Sequence, residues 1–204
     1  MCPLRLGLLA SHEGSNAQAI FEACRQGVLH AQAHVLISNN SRAGVRIRAE
    51  QFGIPFYHLS SATHPTPTEL DAAILDVLQQ RGVEIVCLTG YMKKLGAKTL
   101  GAYRGRILNV HPSLLPKFGG RGMYGLRVHE AVLAAGETES GATVHLIDNE
   151  YDRGQILAQE RTPVCPGESP EELQNRILPL EHRIYVETLQ RIIAGTLTLN
   201  QRQK

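Results

Sequence analysis

Four short apolar runs, at residues 4–11, 33–39, 55–59 and 84–90, alternate with three stretches whose apolar residues recur every three or four positions. Each intervening stretch closes on a glycine (Gly27, Gly53, Gly82), the residue that best tolerates the left-handed conformation after a helix end. The third opens with Thr66-Pro67-Thr68-Glu69, a capping box with proline in the first turn. A fifth run, RILNVH, follows at residues 106–111. Runs this continuously apolar suit strands covered on both faces, as in parallel sheets. Strand–helix alternation then predicts right-handed crossovers and an α/β fold.

The second half changes character. Residues 142–150 and 155–164 read as strands separated only by YDRG, a connection that favours an antiparallel pair. A second capping box, Ser169-Pro170-Glu171-Glu172, opens a long helix that turns Leu173, Ile177, Leu180, Ile184, Leu189 and Ile192 toward a core and stops near Gly195. The expected architecture is one domain over residues 1–204. Its sheet is Rossmann-like and mostly parallel, with helices on both faces and antiparallel strands added in the C-terminal half.

A net charge of +2 over 204 residues gives no case for nucleic acid or a membrane surface as partner. No apolar segment approaches the roughly 20 residues that span a bilayer, and the first apolar run leads straight into a polar turn, unlike a signal peptide. A cytoplasmic protein is the default expectation. Cys2, Cys24, Cys87 and Cys165 are scattered without a C-x-x-C pair, which reads as reduced thiols and no metal site.

Ligands on open α/β sheets gather at the carboxyl ends of the parallel strands. After the first strand comes SHEGSN, where Gly14, Ser15 and Asn16 open a helix whose start favours an anion. Neither G-x-x-x-x-G-K-[ST] nor G-x-G-x-x-G occurs at this turn, and taken alone it reads first as a helix cap. After the fourth strand comes GYMKKLG, with two lysines suited to an anion or simply to solvent. On the fifth strand Asn109 and His111 share a face, since side chains two apart point together. An amide donor beside an imidazole suits oxyanion stabilisation and proton transfer. The proline-bounded HPSLLP behind them fixes the backbone direction. Asp152, in the YDRG loop, is either a turn former or a carboxylate that orients His111.

GSN near the start, GYM after the fourth strand, N-V-HPSLLP and the late Y-D-x-G together resemble the folate-dependent formyltransferases, and GSN narrows the likeness to those that formylate glycinamide ribonucleotide. The resemblance runs from the first strand through the long C-terminal helix. It implies direct transfer from 10-formyltetrahydrofolate to the amine of glycinamide ribonucleotide, with no metal and no covalent enzyme intermediate. Gly14, Ser15 and Asn16 then hold the substrate's phosphate and ribose side, and Glu181 contacts its glycinamide part. Met92, Lys93, Lys94 and Leu95 line the folate pocket, and Asp148, Asn149, Glu150 and Tyr151 form a pterin loop leading into Asp152. Asn109, His111 and Asp152 match the family's catalytic trio.

His12, Glu13 and Lys94 depart from small or apolar residues frequent in relatives. The segment from Phe118, with Gly119, Gly120, Gly122 and Gly125, reads as a long loop: a lid, a carrier of Arg121 toward a phosphate, or a surface insertion. A formyltetrahydrofolate deformylase is the nearest alternative; it carries an N-terminal regulatory domain for which a strand starting at residue 4 is expected to leave no room. Methionyl-tRNA formyltransferases need a further C-terminal domain, not expected in a chain ending at Lys204. Sugar-nucleotide formyltransferases and a non-enzymatic binding module on the same fold complete the alternatives.

Overall fold

The structure is a computed structural model that describes residues 2–199; residue 1 and residues 200–204 of the expected 1–204 span lie outside the described residues. The elements run β1 (Leu4–Ala10), α1 (Ser15–Arg25), β2 (Ala31–Ser38), α2 (Val45–Gln51), β3 (Phe56–His58), α3 (Pro67–Gln80), β4 (Ile85–Leu88), α4 (Ala97–Ala102), β5 (Ile107–His111), α5 (Leu126–Ala134), β6 (Glu139–Leu146), β7 (Ile156–Pro163) and α6 (Pro170–Ile193). They form a seven-stranded sheet in the order β3-β2-β1-β4-β5-β6-β7. The first five strands pair in parallel, and β6 and β7 add antiparallel.

Both faces of the sheet are covered, which explains the unbroken apolar character of the central strands. Leu6, Leu8, Cys87 and Leu108 face one core with Ile20 and Phe21 of α1 and Ile177 and Tyr185 of α6. Leu9, Val86, Leu88 and Ile107 face the other, packed on Ile74 and Leu78 of α3. The Tyr185 hydroxyl, fully buried, meets the backbone oxygens of Leu88 (3.2 Å) and Leu108 (2.9 Å) and so pins α6 over the end of β4 and the start of β5. Both expected capping boxes form, at Thr66 and Ser169, and Gly27, Gly53 and Gly82 each adopt positive φ where their helices end.

Three expectations are corrected. The strand expected over 142–150 runs Glu139–Leu146, and the connection to β7 spans residues 147–155 rather than YDRG alone. Leu146 N–H donates to Gln155 O, and a Cβ on Gly154 would lie 1.7 Å from Leu146 O, so the chain folds back tightly at that point. The segment read as a long loop from Phe118 is a loop only to Gly125; α5 then buries Val128, His129 and Val132. A short helix, α4, stands before β5, its first amides capped from α3: Asp71 accepts from Lys98 N (2.8 Å) and Thr99 N (3.1 Å).

Candidate active site

The carboxyl ends of β1, β4 and β5 open into one cavity of about 540 Å³, a size suited to a small-molecule ligand. It is lined by Gly14, Ser15, Asn16, Met92, Lys93, Lys94, Leu95, Asn109, His111, Asp148, Glu150, Tyr151, Asp152 and Glu181, residues spread over most of the chain. Asn149 is the exception among the expected residues. Glu150 N–H donates to Asp148 Oδ1 (2.8 Å), and this turn leaves Asn149 exposed and off the cavity wall.

At the β1 end, Gly14 adopts φ 69, and a Cβ there would lie 2.1 Å from Val45. The turn thus needs glycine both for its conformation and for its approach to α2. No side chain caps α1, so the reading of Ser15 or Asn16 as a plain cap does not hold. Gly14, Ser15 and Asn16 line the cavity, so the start of α1, the positive end of its dipole, borders it. Asn16 instead donates through Nδ2 to Glu181 Oε2 (2.9 Å) on α6, while its buried Oδ1 has no partner. Burial pushes the Glu181 carboxyl up to about 7, with the Asn16 hydrogen bond opposing. The loop after β4 is tied to this end by Ser11, whose hydroxyl accepts from Met92 N (2.7 Å).

The β5–β6 register brings the candidate catalytic side chains together. Asn109 stands opposite His145, and His111 opposite Thr143. Asn109 Nδ2 lies 3.1 Å from His145 Nε2. His111 Nε2–H donates to Phe118 O (2.8 Å), and its Nδ1 faces Asp152 Oδ2 at 3.8 Å, a charge contact longer than a hydrogen bond. Asp152 holds φ 55, a conformation that aspartate tolerates better than most residues. Its Oδ2 accepts from Gly120 N (2.8 Å), and its Oδ1 is 3.6 Å from His145 Nε2. The carboxylate expected near His111 therefore lies against two imidazoles and fixes the glycine loop as well.

Behind His111, Thr143 accepts from Leu115 N (3.1 Å) and Gln159 Nε2 (2.9 Å) and donates to Ser113 O (2.6 Å), clamping the HPSLLP turn to β6 and β7. Arg121 does not line the cavity, whereas Gly120, Gly122 and Gly125 of the same loop do. Two histidines escaped the sequence reading. His145 is fully buried, and its signal lies in cross-strand register. His129 of α5 lines the cavity with its Nδ1 unpartnered; burial and then the His111 charge push it down to about 4. Gln174, Asn175 and Leu178 of α6 also reach the wall, one helical face with Glu181. At the mouth, Lys94 Nζ lies 5.5 Å from the centre of the Tyr151 ring.

Comparison with known proteins gives the chain's family. The formyl transferase family model matches residues 4–189. The chloroplastic phosphoribosylglycinamide formyltransferase of Arabidopsis thaliana is 40% identical over 186 residues, 91% of this chain and 64% of that protein. The trifunctional purine biosynthetic protein adenosine-3 of Homo sapiens is 36% identical over 200 residues, 98% of this chain but 19% of that protein. The chain thus spans under two thirds of the length of these curated relatives. The crystal structure of glycinamide ribonucleotide transformylase 1 from Symbiobacterium toebii superposes with a TM-score of 0.91 at 39% identity, covering 98% of this chain and 92% of that one. A superposable fold and identity sustained along the chain give one conclusion: this chain belongs to the formyl transferase family, in its phosphoribosylglycinamide formyltransferase group.

Proposed function

We propose that the chain transfers the formyl group of 10-formyltetrahydrofolate to the terminal amine of glycinamide ribonucleotide, in de novo purine biosynthesis, as a single formyltransferase domain over residues 1–204. One observation carries the proposal. A single cavity joins an uncapped helix start with a buried carboxylate, a lysine-bearing apolar wall, and an amide beside an imidazole and a carboxylate. Gly14, Ser15 and Asn16 take the phosphate and ribose side, and Glu181 the glycinamide. Met92, Lys93, Lys94 and Leu95 take the folate with Asp148, Glu150 and Tyr151.

In the proposed reaction the amine attacks the formyl carbon, a new C–N bond forms, and the oxygen becomes an oxyanion. Asn109 donates an amide N–H to it. His111 Nε2–H, which donates to Phe118 O, exchanges that carbonyl for the oxyanion, with Asp152 balancing the imidazole's charge. Collapse breaks the bond to N10 of the folate, and the proton lost by the amine ends on that nitrogen. Asp152 relays it directly or through water.

An assay with 10-formyltetrahydrofolate and three competing acceptors, glycinamide ribonucleotide, water and a sugar-nucleotide amine, tests the reading. Formylated glycinamide ribonucleotide is the expected product; formate alone would replace the proposal with a deformylase. Cytoplasmic location belongs to the same proposal. The Arabidopsis relative is named chloroplastic, and fractionation of the source cells settles the compartment. Among the described residues, no helix is long and apolar enough to cross a membrane.

A further inference from the structure

We infer that His145 is a positioning residue for Asn109: its unprotonated Nε2 accepts from the Asn109 side-chain amide and so fixes N–H, rather than C=O, toward the reacting oxygen. The inference rests on the formyl-transfer reading and adds to it a residue outside the trio.

The fold brings the two side chains together by register. Asn109 and His145 are directly opposed on antiparallel β5 and β6, where facing side chains touch. His145 is wholly buried, so no water competes for its ring. Its Nδ1 lies 3.0 Å from Leu146 O. A carbonyl oxygen only accepts, so the hydrogen of that bond sits on Nδ1. The neutral ring then has a bare lone pair on Nε2, and the atom 3.1 Å from it must donate.

A primary amide has a donor end and an acceptor end, and an inverted Asn109 would set its oxygen against that lone pair in a dry site. The imidazole thereby selects one of two amide rotations. Nδ2 spends one hydrogen on His145 and keeps its second for a ligand at the cavity wall that Asn109 lines. Asp152 supports the same state. Its Oδ1 stands 3.6 Å from Nε2, too far for a hydrogen bond, so the carboxylate stays available to His111. Burial holds the ring below its ordinary pKa against the opposing charges of Asp152 and Asp148, with His111 acting in the same sense as burial.

The alternative is a histidine that only fills space between β5 and β6. Steady-state kinetics of the full chain with glycinamide ribonucleotide and 10-formyltetrahydrofolate separate the two, using Asn109→Ala, His145→Leu, their double variant and His145→Gln. His145→Leu is expected to lower kcat about 100-fold, the loss typical of one oxyanion donor. KM should stay within about threefold. Glutamine places an amide oxygen near the Nε2 position and should recover kcat to within about tenfold. In the Asn109→Ala background, His145→Leu should change kcat by no more than about twofold, because the group it acts through is gone. Equal losses in both backgrounds would overturn the inference. An inactive wild type would overturn the formyl-transfer reading instead. Nitrogen-15 NMR of histidine-labelled wild type is independent of how the variants fold. A proton on Nδ1 and none on Nε2 of His145 is expected; the reverse tautomer or an imidazolium would refute the assignment.

Discussion

Asn16 and Glu181, 165 residues apart in the chain, are joined by a buried 2.9 Å hydrogen bond from the Asn16 amide to the Glu181 carboxylate. The bond ties the start of α1 to the middle of α6 at the cavity wall and leaves the Asn16 oxygen without a partner. A buried acid whose neighbour is half satisfied is costly to the fold and suited to a ligand that brings donors.

Substituting Glu181 by glutamine should therefore stabilise the fold while weakening substrate binding. Burial raises the carboxyl from 4.5 to about 7, so the folded state holds this proton more tightly than the unfolded chain. The group's stabilising contribution is full below 4.5 and lost as pH rises through about 7, a change on the order of 3 kcal/mol. Glutamine has no such proton to lose. Urea midpoints for Glu181→Gln should exceed wild type at about pH 8 and converge with it near pH 4. KM for glycinamide ribonucleotide should rise. A constant offset between the two proteins across that range would show that Glu181 does not titrate on unfolding.

The Asp152→Asn variant isolates charge from geometry. Asparagine tolerates φ 55 and its oxygen still accepts from Gly120 N–H, so the loop should keep its shape. What disappears is the negative charge 3.8 Å from His111 Nδ1. We expect kcat to fall by about 10²–10⁴ with KM for both substrates nearly unchanged. A rise in KM matching the loss of turnover would instead give Asp152 a binding role.

The sequence carried the central strands because burial on both faces wrote them as apolar runs, and it carried α3 and α6 because each contains its own capping box. α4 was hidden for the converse reason. Its cap is Asp71, on α3, which no local pattern around Ala97–Ala102 reveals. α5 was masked by the glycines before it and lacks a side-chain cap. The same division runs through the site. Asn109 and His111 lie two apart on one strand and announce a shared face. His145 reaches Asn109 only through the antiparallel register of β6 on β5, set across the intervening residues 112–138, where no local pattern announces it. Motif resemblance assembled Gly14, Asp152 and Glu181 from distant parts of the chain. It did not exclude Asn149, which a local turn sets at the loop's apex.

Gly14→Ala should fail at the turn proposed to hold the phosphate. Alanine is strained at φ 69, and its methyl would lie 2.1 Å from Val45. The strain costs about 1–3 kcal/mol if the fold holds its shape, and relief of the clash must move the turn away from α2. Thermal melting should show the loss, and KM for glycinamide ribonucleotide should rise more than KM for the folate. Equal changes in both KM values would indicate general loosening and place the anion elsewhere.

Lys94 and Tyr151 join the two loops that flank the cavity mouth, one after β4 and the other after β6. The ammonium lies over the ring at 5.5 Å, and Tyr151 is half exposed, so the contact falls in the weak, solvated class of cation–π pairs. Such pairs contribute about 0.5–1 kcal/mol, or a factor of about 2–5 in an equilibrium constant. Lys94→Met keeps the aliphatic stem and removes the cation. Its KM for 10-formyltetrahydrofolate should rise by that factor with kcat unchanged, since neither residue touches the reactive centre. Arginine also stacks on aromatic rings, so Lys94→Arg should recover the loss. Tyr151→Leu should weaken folate binding at least as much, and adding Lys94→Met to it should have little further effect. If the two losses simply add, the lysine meets the folate's own carboxylates rather than the ring, and the departure from an apolar residue at this position serves the ligand directly.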